Sequence, residues 1–375
     1  MPYQIQQQTL SDIKNKKPKD LKSRFLIGIG IISFFCVFVL FNSLADFNLL
    51  TISSLYPLSL ITKFVLLAMG ILMWMVLLGF VIYEFNKNFF QNNHKTLIIN
   101  MFIIIISSLA SICLLITIRH IGTKFNGFSN ELSTYHSKEI SKSYWSINAG
   151  FLFLVLLINI PMIALNKQLN WQKKLLAIIV LGLIFSFITG TYYLIILRNW
   201  VVWTLLLLLV ILSDTFAYVG GKVFGKRKIF PKYSPNKTWE GFAIGLSVAT
   251  VIILGLILVL IWRTNLSRFI PENQMQSEFN LLNNEFLVSF YGVSFFHYLS
   301  NTPWLLIFIV SCFFIPLLSI LSTYGDLFFS YVKRVFMIKD YSNLLGSHGG
   351  FLDRIDAQIC TISIYFLVAQ IVDII

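Results

Sequence analysis

The chain has 375 residues, of which 57% are hydrophobic and only 12% charged, and 36 are phenylalanine. A soluble globular domain carries about twice that share of charge, so a water-soluble enzyme or binding module is excluded and a multi-pass membrane protein is indicated. The net charge of +13 would point to nucleic acid in a soluble protein. In a chain this apolar it points instead to anionic lipid, cytosolic loops and an anionic substrate, with no nucleic acid partner.

Residues 1–23 form a polar tail, with Gln6-Gln7-Gln8 followed by Lys14, Lys16, Lys17, Lys19 and Lys22. We separate this tail from a membrane-embedded domain spanning 24–375. The apolar run at 25–45 is too long for a cleaved leader, and no small-residue cleavage site follows, so it is read as a retained first helix. A spanning helix needs about 20 apolar residues. Nine stretches qualify, at 25–43, 64–84, 97–118, 148–166, 174–197, 200–221, 240–262, 304–328 and 355–374. The predicted fold class is therefore all-α, with about nine transmembrane helices. Pro161 lies inside the fourth stretch, where a membrane helix absorbs it as a kink. The connectors at 119–147 and 264–303 are polar and long and hold no recognisable chemistry. Cys36, Cys113, Cys312 and Cys360 all lie in apolar stretches without metal-ligand or disulfide spacing.

Charge counting orients the bundle. With the N-terminus in the cytosol, the cytosolic segments hold 21 of the 29 Lys and Arg residues, as the positive-inside rule requires. The segment 119–147, with four basic residues, is the one that fits this arrangement least. The two densest charged loops, between helices six and seven and between helices eight and nine, fall on the same side.

The later loop carries Asp326, Ser330, Lys333, Arg334, Lys339, Asp340, His348, Gly349, Gly350, Asp353, Arg354 and Asp356. If helix eight continues past Phe329, Asp326, Ser330 and Lys333 share one face, at i, i+4 and i+7. Asp353 and Asp356 share a face at the start of helix nine, where the helix dipole favours acids. Three carboxylates converging from two helices suit a hard cation such as Mg²⁺. The basic residues can neutralise phosphate oxygens, and Gly349-Gly350 lets backbone approach a ligand. This combination suits phosphoryl or nucleotidyl transfer, which rests on positioning and charge stabilisation. The competing reading is a positive-inside loop whose acids pair with its bases. It is weakest for Asp326, at the edge of an apolar helix.

The earlier loop follows Ser213 and Asp214, which interrupt an apolar run, so Asp214 is expected to face a polar cavity. Beyond Lys222, Lys226, Arg227, Lys228 and Lys232 comes Ser234-Pro235-Asn236-Lys237-Thr238-Trp239-Glu240-Gly241. Two readings stand for this segment. Thr238 and Glu240 can be a helix cap, or hydroxyls, backbone N–H groups and Lys237 can surround a phosphate at a helix N-terminus.

With these residues in view, the chain resembles the phosphatidate cytidylyltransferases, also called CDP-diacylglycerol synthases. Their signature is matched by Ser330-x-x-Lys333-Arg334, Lys339-Asp340 and His348-Gly349-Gly350-x-x-Asp353-Arg354-x-Asp356, with the spacing kept throughout. Residues 234–241 resemble a second family segment and depart from it at Asn236, where lysine is usual. Gly346 stands where many members have proline. Phe328-Phe329 and Asp356-Ala357-Gln358 look more like the eukaryotic branch.

The resemblance implies the reaction of CTP with phosphatidate to give CDP-diacylglycerol and pyrophosphate. It also implies dependence on Mg²⁺ with the number of cations open, a homodimer, and a polar cavity within the bilayer lipid that opens to the cytosol. The eukaryotic-like features suggest the endoplasmic reticulum membrane. Carried over by position, Asp326 and Asp353, supported by Asp356, are the metal-ligand candidates, and with Lys333 and Arg334 they make the catalytic set. Asp214, Ser234, Lys237, Thr238, Ser330, Lys339, Asp340, His348 and Arg354 are the substrate-binding candidates. Two other classes compete. A CTP-dependent polyprenol-type lipid kinase would not need the ordered 330–356 block. A transporter would show inverted repeats or matched broken helices, which the sequence lacks.

Overall fold

The computed structural model describes residues 19–45, 60–89, 94–125, 130–166, 169–231, 233–266, 304–346 and 349–374. Among them the chain forms nine long helices: α1 (Lys19–Ala45), α2 (Leu60–Phe89), α3 (His94–Phe125), α4 (Asn130–Leu165), α5 (Trp171–Tyr193), α6 (Trp200–Phe224), α7 (Trp239–Leu266), α8 (Trp304–Val335) and α9 (Leu352–Ile374). From α2 onward, eight are long and apolar enough to cross a membrane, and α1 adds a shorter apolar stretch at Ile29–Leu44. The protein is thus a helical multi-pass membrane protein.

The expected tail at 1–23 differs at its end, because α1 begins at Lys19, and residues 1–18 lie outside the described residues. The polar connector at 119–147 is largely helical backbone, continuing α3 to Phe125 and starting α4 at Asn130. The connector at 264–303 lies almost wholly outside the described residues. Pro161 in α4 and Pro316 in α8 are both accommodated within helices.

Helices α5 and α9 form the centre, each with 72% of its apolar span buried, against 22% for α4 and α7. Their interface is close. Gly190 of α5 lies under Phe366, the Ser363 hydroxyl donates to the Leu183 carbonyl at 2.9 Å, and the Tyr193 and Phe366 rings are 5.1 Å apart. Other buried hydroxyls here return their hydrogen bonds to their own helix, as Thr189 does to Phe185 O and Thr361 to Ala357 O.

Between α5 and α6 the chain passes through a π-helical turn at Leu194–Asn199. In a straight helix, Phe187 and Trp203, 16 positions apart, would be separated by about 24 Å. Instead both rings lie against Trp74 of α2, at 5.3 and 6.2 Å, so the chain reverses at this turn. Phe38 of α1 stacks on Trp74 at 5.1 Å and completes an aromatic knot joining α1, α2, α5 and α6.

A short antiparallel ribbon, β1 (Lys228–Phe230) and β2 (Ser234–Thr238), links α6 to α7. It pairs Lys228 with Thr238 and Phe230 with Ser234 around an irregularity. The sequence suggests only a plain basic loop here. Pro235 is tolerated because a two-stranded ribbon is all edge.

Candidate active site

The ribbon, the ends of α2, α6 and α8 and the starts of α7 and α9 meet at one end of the bundle. Helix α8 runs to Val335, beyond the expected end at 328, and so carries Asp326, Ser330 and Lys333 on one face. Ser330 donates to Asp326 at 3.5 Å. Lys333 reaches across to α9, with its Nζ 2.9 Å from Asp353 and 3.7 Å from Asp356. Lys237 comes from β2 and pairs with Asp326. Asp214, half-buried on α6, lies within electrostatic reach of both Asp326 and Lys237. Asp356, buried, lies within reach of Asp326, Asp214 and Lys333. Two charged loops far apart in sequence thus form one polar cluster at the end of an apolar bundle.

Helix α8 ends in a left-handed turn. Met337 has φ of 58°, Ile338 N–H donates to Lys333 O at 2.9 Å and Met337 N–H to Arg334 O at 3.1 Å. This is the doubly bonded C-terminal cap usually made with glycine. It turns the chain back towards α9. Gly346 takes φ of 56°, which a proline ring forbids. Gly349 has φ of 79°.

Asp353 is the knot of the loop. Its Oδ1 faces Lys333, while Oδ2 accepts the N–H groups of Tyr341 at 2.8 Å and Gly350 at 2.9 Å. The Lys333 ammonium also sits 5.5 Å from the centre of the Tyr341 ring, a cation–π contact. Burial, and then the nearby Asp356 and Asp353 carboxylates, push the Tyr341 phenol well above its usual range. It stays protonated.

The remaining candidates are placed differently. The Thr238 hydroxyl caps α7 by accepting Gly241 N–H at 3.2 Å, and Glu240 accepts the N–H groups of Lys226 and Arg227. The Thr238 hydroxyl is thus engaged as the cap of the helix, whereas Glu240 braces the turn before the ribbon instead of the helix start. Ser234 is half-buried at the start of β2. Arg334 is exposed and donates to Tyr233 O at 3.5 Å, tying α8 to the ribbon. Lys339, Asp340 and Arg354 are exposed around the loop, and His348 lies outside the described residues. Gly350 is expected from the sequence to admit a ligand. Instead its open side is filled by the Glu84 carboxylate, which stands where a Cβ would have to go.

Glu84, Asn88 and Phe80 of α2 are residues that sequence reasoning missed. Glu84 closes the second apolar stretch and reads as its boundary. The available signal was a lone acid at the end of an apolar helix, where burial of charge is costly.

The cluster's chemistry fits a divalent cation. Asp214, Asp326, Asp353 and Asp356 gather four carboxyl groups beside the ammonium groups of Lys237 and Lys333, and carboxyl oxygens are the ligands a hard dication takes. The carboxylates are drawn onto lysines, and among the described residues no group of three His, Cys, Asp or Glu side chains is placed to hold a metal ion.

The sequence pattern of the cytidylyltransferase family matches residues 22–372, which is most of the chain. The chain belongs to this family. Its relatives include a Rickettsia felis phosphatidate cytidylyltransferase, 32% identical over 229 residues, which are 58% of this chain and 82% of that protein. A Mycoplasma pneumoniae protein provisionally named for the same activity is 36% identical over 60% of this chain and 58% of its own length. The Bacillus subtilis phosphatidate cytidylyltransferase is 32% identical over 42% of this chain and 43% of that protein. The match therefore spans less than two thirds of two of these three relatives. All three are bacterial.

Proposed function

We propose that this cytidylyltransferase-family chain is a phosphatidate cytidylyltransferase, forming CDP-diacylglycerol and pyrophosphate from CTP and phosphatidate. The observation that carries the reading is the convergence of Lys237, Asp326, Lys333, Asp353 and Asp356 at one end of an apolar bundle. A lipid substrate can keep its acyl chains in the bilayer there while its headgroup meets a soluble nucleotide.

The phosphatidate oxygen is already anionic and nucleophilic, so no serine or cysteine need be activated. It forms a bond to the α-phosphorus of CTP as the bond to the bridging oxygen of pyrophosphate breaks in line. The obstacle is repulsion between two polyanions. Lys237 and Lys333 can exchange their carboxylate partners for phosphate oxygens, and Arg334, Lys339 and Arg354 ring the mouth with further positive charge. Asp326 and Asp356, with Asp353 and Asp214, are the residues that would hold Mg²⁺. Bound there, the ion would neutralise phosphate charge and favour departure of pyrophosphate. The basic loops support an orientation with the N-terminus and this site in the cytosol. A homodimer rests on the family resemblance, and an endoplasmic reticulum location on the eukaryotic-like flanks of the signature alone.

The test uses purified protein in detergent with α-³²P-CTP, phosphatidate and Mg²⁺. Label is expected in the lipid phase, with equal release of pyrophosphate and none without Mg²⁺. Label reaching polyprenol from γ-³²P-CTP, with no lipid label from α-³²P-CTP, would replace this reading by a lipid kinase.

A further inference from the structure

One face of α2 grips the signature loop at several points. Phe80, Glu84 and Asn88 recur every fourth residue and so lie in one row. The Phe80 ring stacks on Phe351, with centres 4.8 Å apart and planes 12° from parallel. Asn88 Nδ2 donates to Tyr341 O at 2.7 Å. Glu84, fully buried, accepts Phe351 N–H at 2.9 Å, Leu352 N–H at 2.8 Å and the Ser342 hydroxyl. Three donors on two oxygens form a set that an acceptor-only carboxylate satisfies and an amide does not. The N–H groups at 351 and 352 open α9, so the Glu84 charge is also held by the helix dipole.

The grip falls on the backbone that carries the site. Tyr341 N–H binds Asp353, Leu352 directly precedes it, and Gly350, which also binds it, has no room for a side chain because Glu84 occupies that space. We propose that α2 is a clamp that sets the position of the Asp353–Lys333 pair, with Glu84 as its positioning residue. The role in turnover rests on the transfer reaction proposed above, whereas the clamp itself does not. Glu84 touches no substrate in this role. It acts by holding α9 and its loop at one height relative to α8.

Glu84→Gln tests it, because the glutamine amide turns a donor towards donors. In folded, monodisperse protein, kcat is expected to fall about 10- to 100-fold, the scale of a small misplacement of reacting groups. KM for CTP should change far less, because Lys237 and Arg334 are untouched. Hydrogen exchange in the peptide containing residues 349–353 should be slow in the wild type and faster in the variant. Where Glu84→Gln does not fold, Ser342→Ala removes one of the three donors and leaves the carboxylate in place. It should lower kcat several-fold at nearly constant KM. Wild-type kcat in folded Glu84→Gln, or wild-type amides at 351 and 352 exchanging as freely as solvent-exposed ones, would overturn the clamp. A wild-type protein that protects these amides but labels no lipid would overturn the reaction and leave the clamp standing.

Discussion

Asp353 serves two purposes, and a single substitution can part them. One oxygen holds the loop through Tyr341 and Gly350, and the other faces the Lys333 ammonium. Asparagine at this position is isosteric, with an oxygen for the two N–H groups and an amide turned on Lys333. Lys333 keeps Asp356 at 3.7 Å, so the cluster is not left with an unpaired buried charge. We therefore expect Asp353→Asn to elute as folded protein from detergent size exclusion, with cytidylyl transfer lowered by about 100-fold or more. Unchanged transfer would remove Asp353 from the site. The residues of this cluster were legible because their chemistry is local and periodic: Asp326, Ser330 and Lys333 are one helical face whatever surrounds them. Glu84 was not legible as a partner, because its donors lie 258 to 268 positions away. Nothing in α2 says where residue 351 will be.

At the scale of elements, the ribbon and the charged loop depend on how closely α6 and α7 pack. Small residues recur every fourth position on both helices, with Ser213, Ala217 and Gly221 facing Gly241 and Gly245. A Cβ at Gly245 would lie 2.5 Å from the Ser213 carbonyl oxygen and 2.8 Å from the Ala217 Cβ. Backbone cannot yield there as a flexible side chain could. Gly245→Ala should destabilise the protein by about 1–3 kcal/mol, as overpacking of close contacts does, and lower its melting temperature in detergent. Gly255, on the same helix with nothing within 4 Å of where a methyl would stand, supplies the control: Gly255→Ala should leave the melting temperature unchanged or higher. Equal effects at the two positions would show that close packing is not the cause. The nine apolar runs made the helices legible, since length and hydropathy are local properties. The π-helical reversal at 194–199 and the Met337 cap were not, because neither carries the proline or glycine that normally marks a turn.

For the molecule as a whole, the same alternation of helices that brings α2, α6 and α8 to an end at the site brings α5, α7 and α9 to a start there. The described basic residues Lys87, Lys173, Lys174, Lys237, Lys333 and Arg334 therefore fall at one end of the bundle, which is how one charge asymmetry can both orient the protein and attract a polyanionic nucleotide. These two consequences are linked, so orientation can be tested without measuring turnover. Lys228 is exposed on β1. In a background with Cys36, Cys113, Cys312 and Cys360 replaced by alanine, Lys228→Cys should react with a membrane-impermeant maleimide in inside-out vesicles and stay unlabelled in sealed right-side-out ones. Labelling only from the outer side would invert the bundle. It would also place the lysine-rich site away from the cytosolic nucleotide pool, so the orientation and the proposed use of CTP would fall together while the fold itself remained.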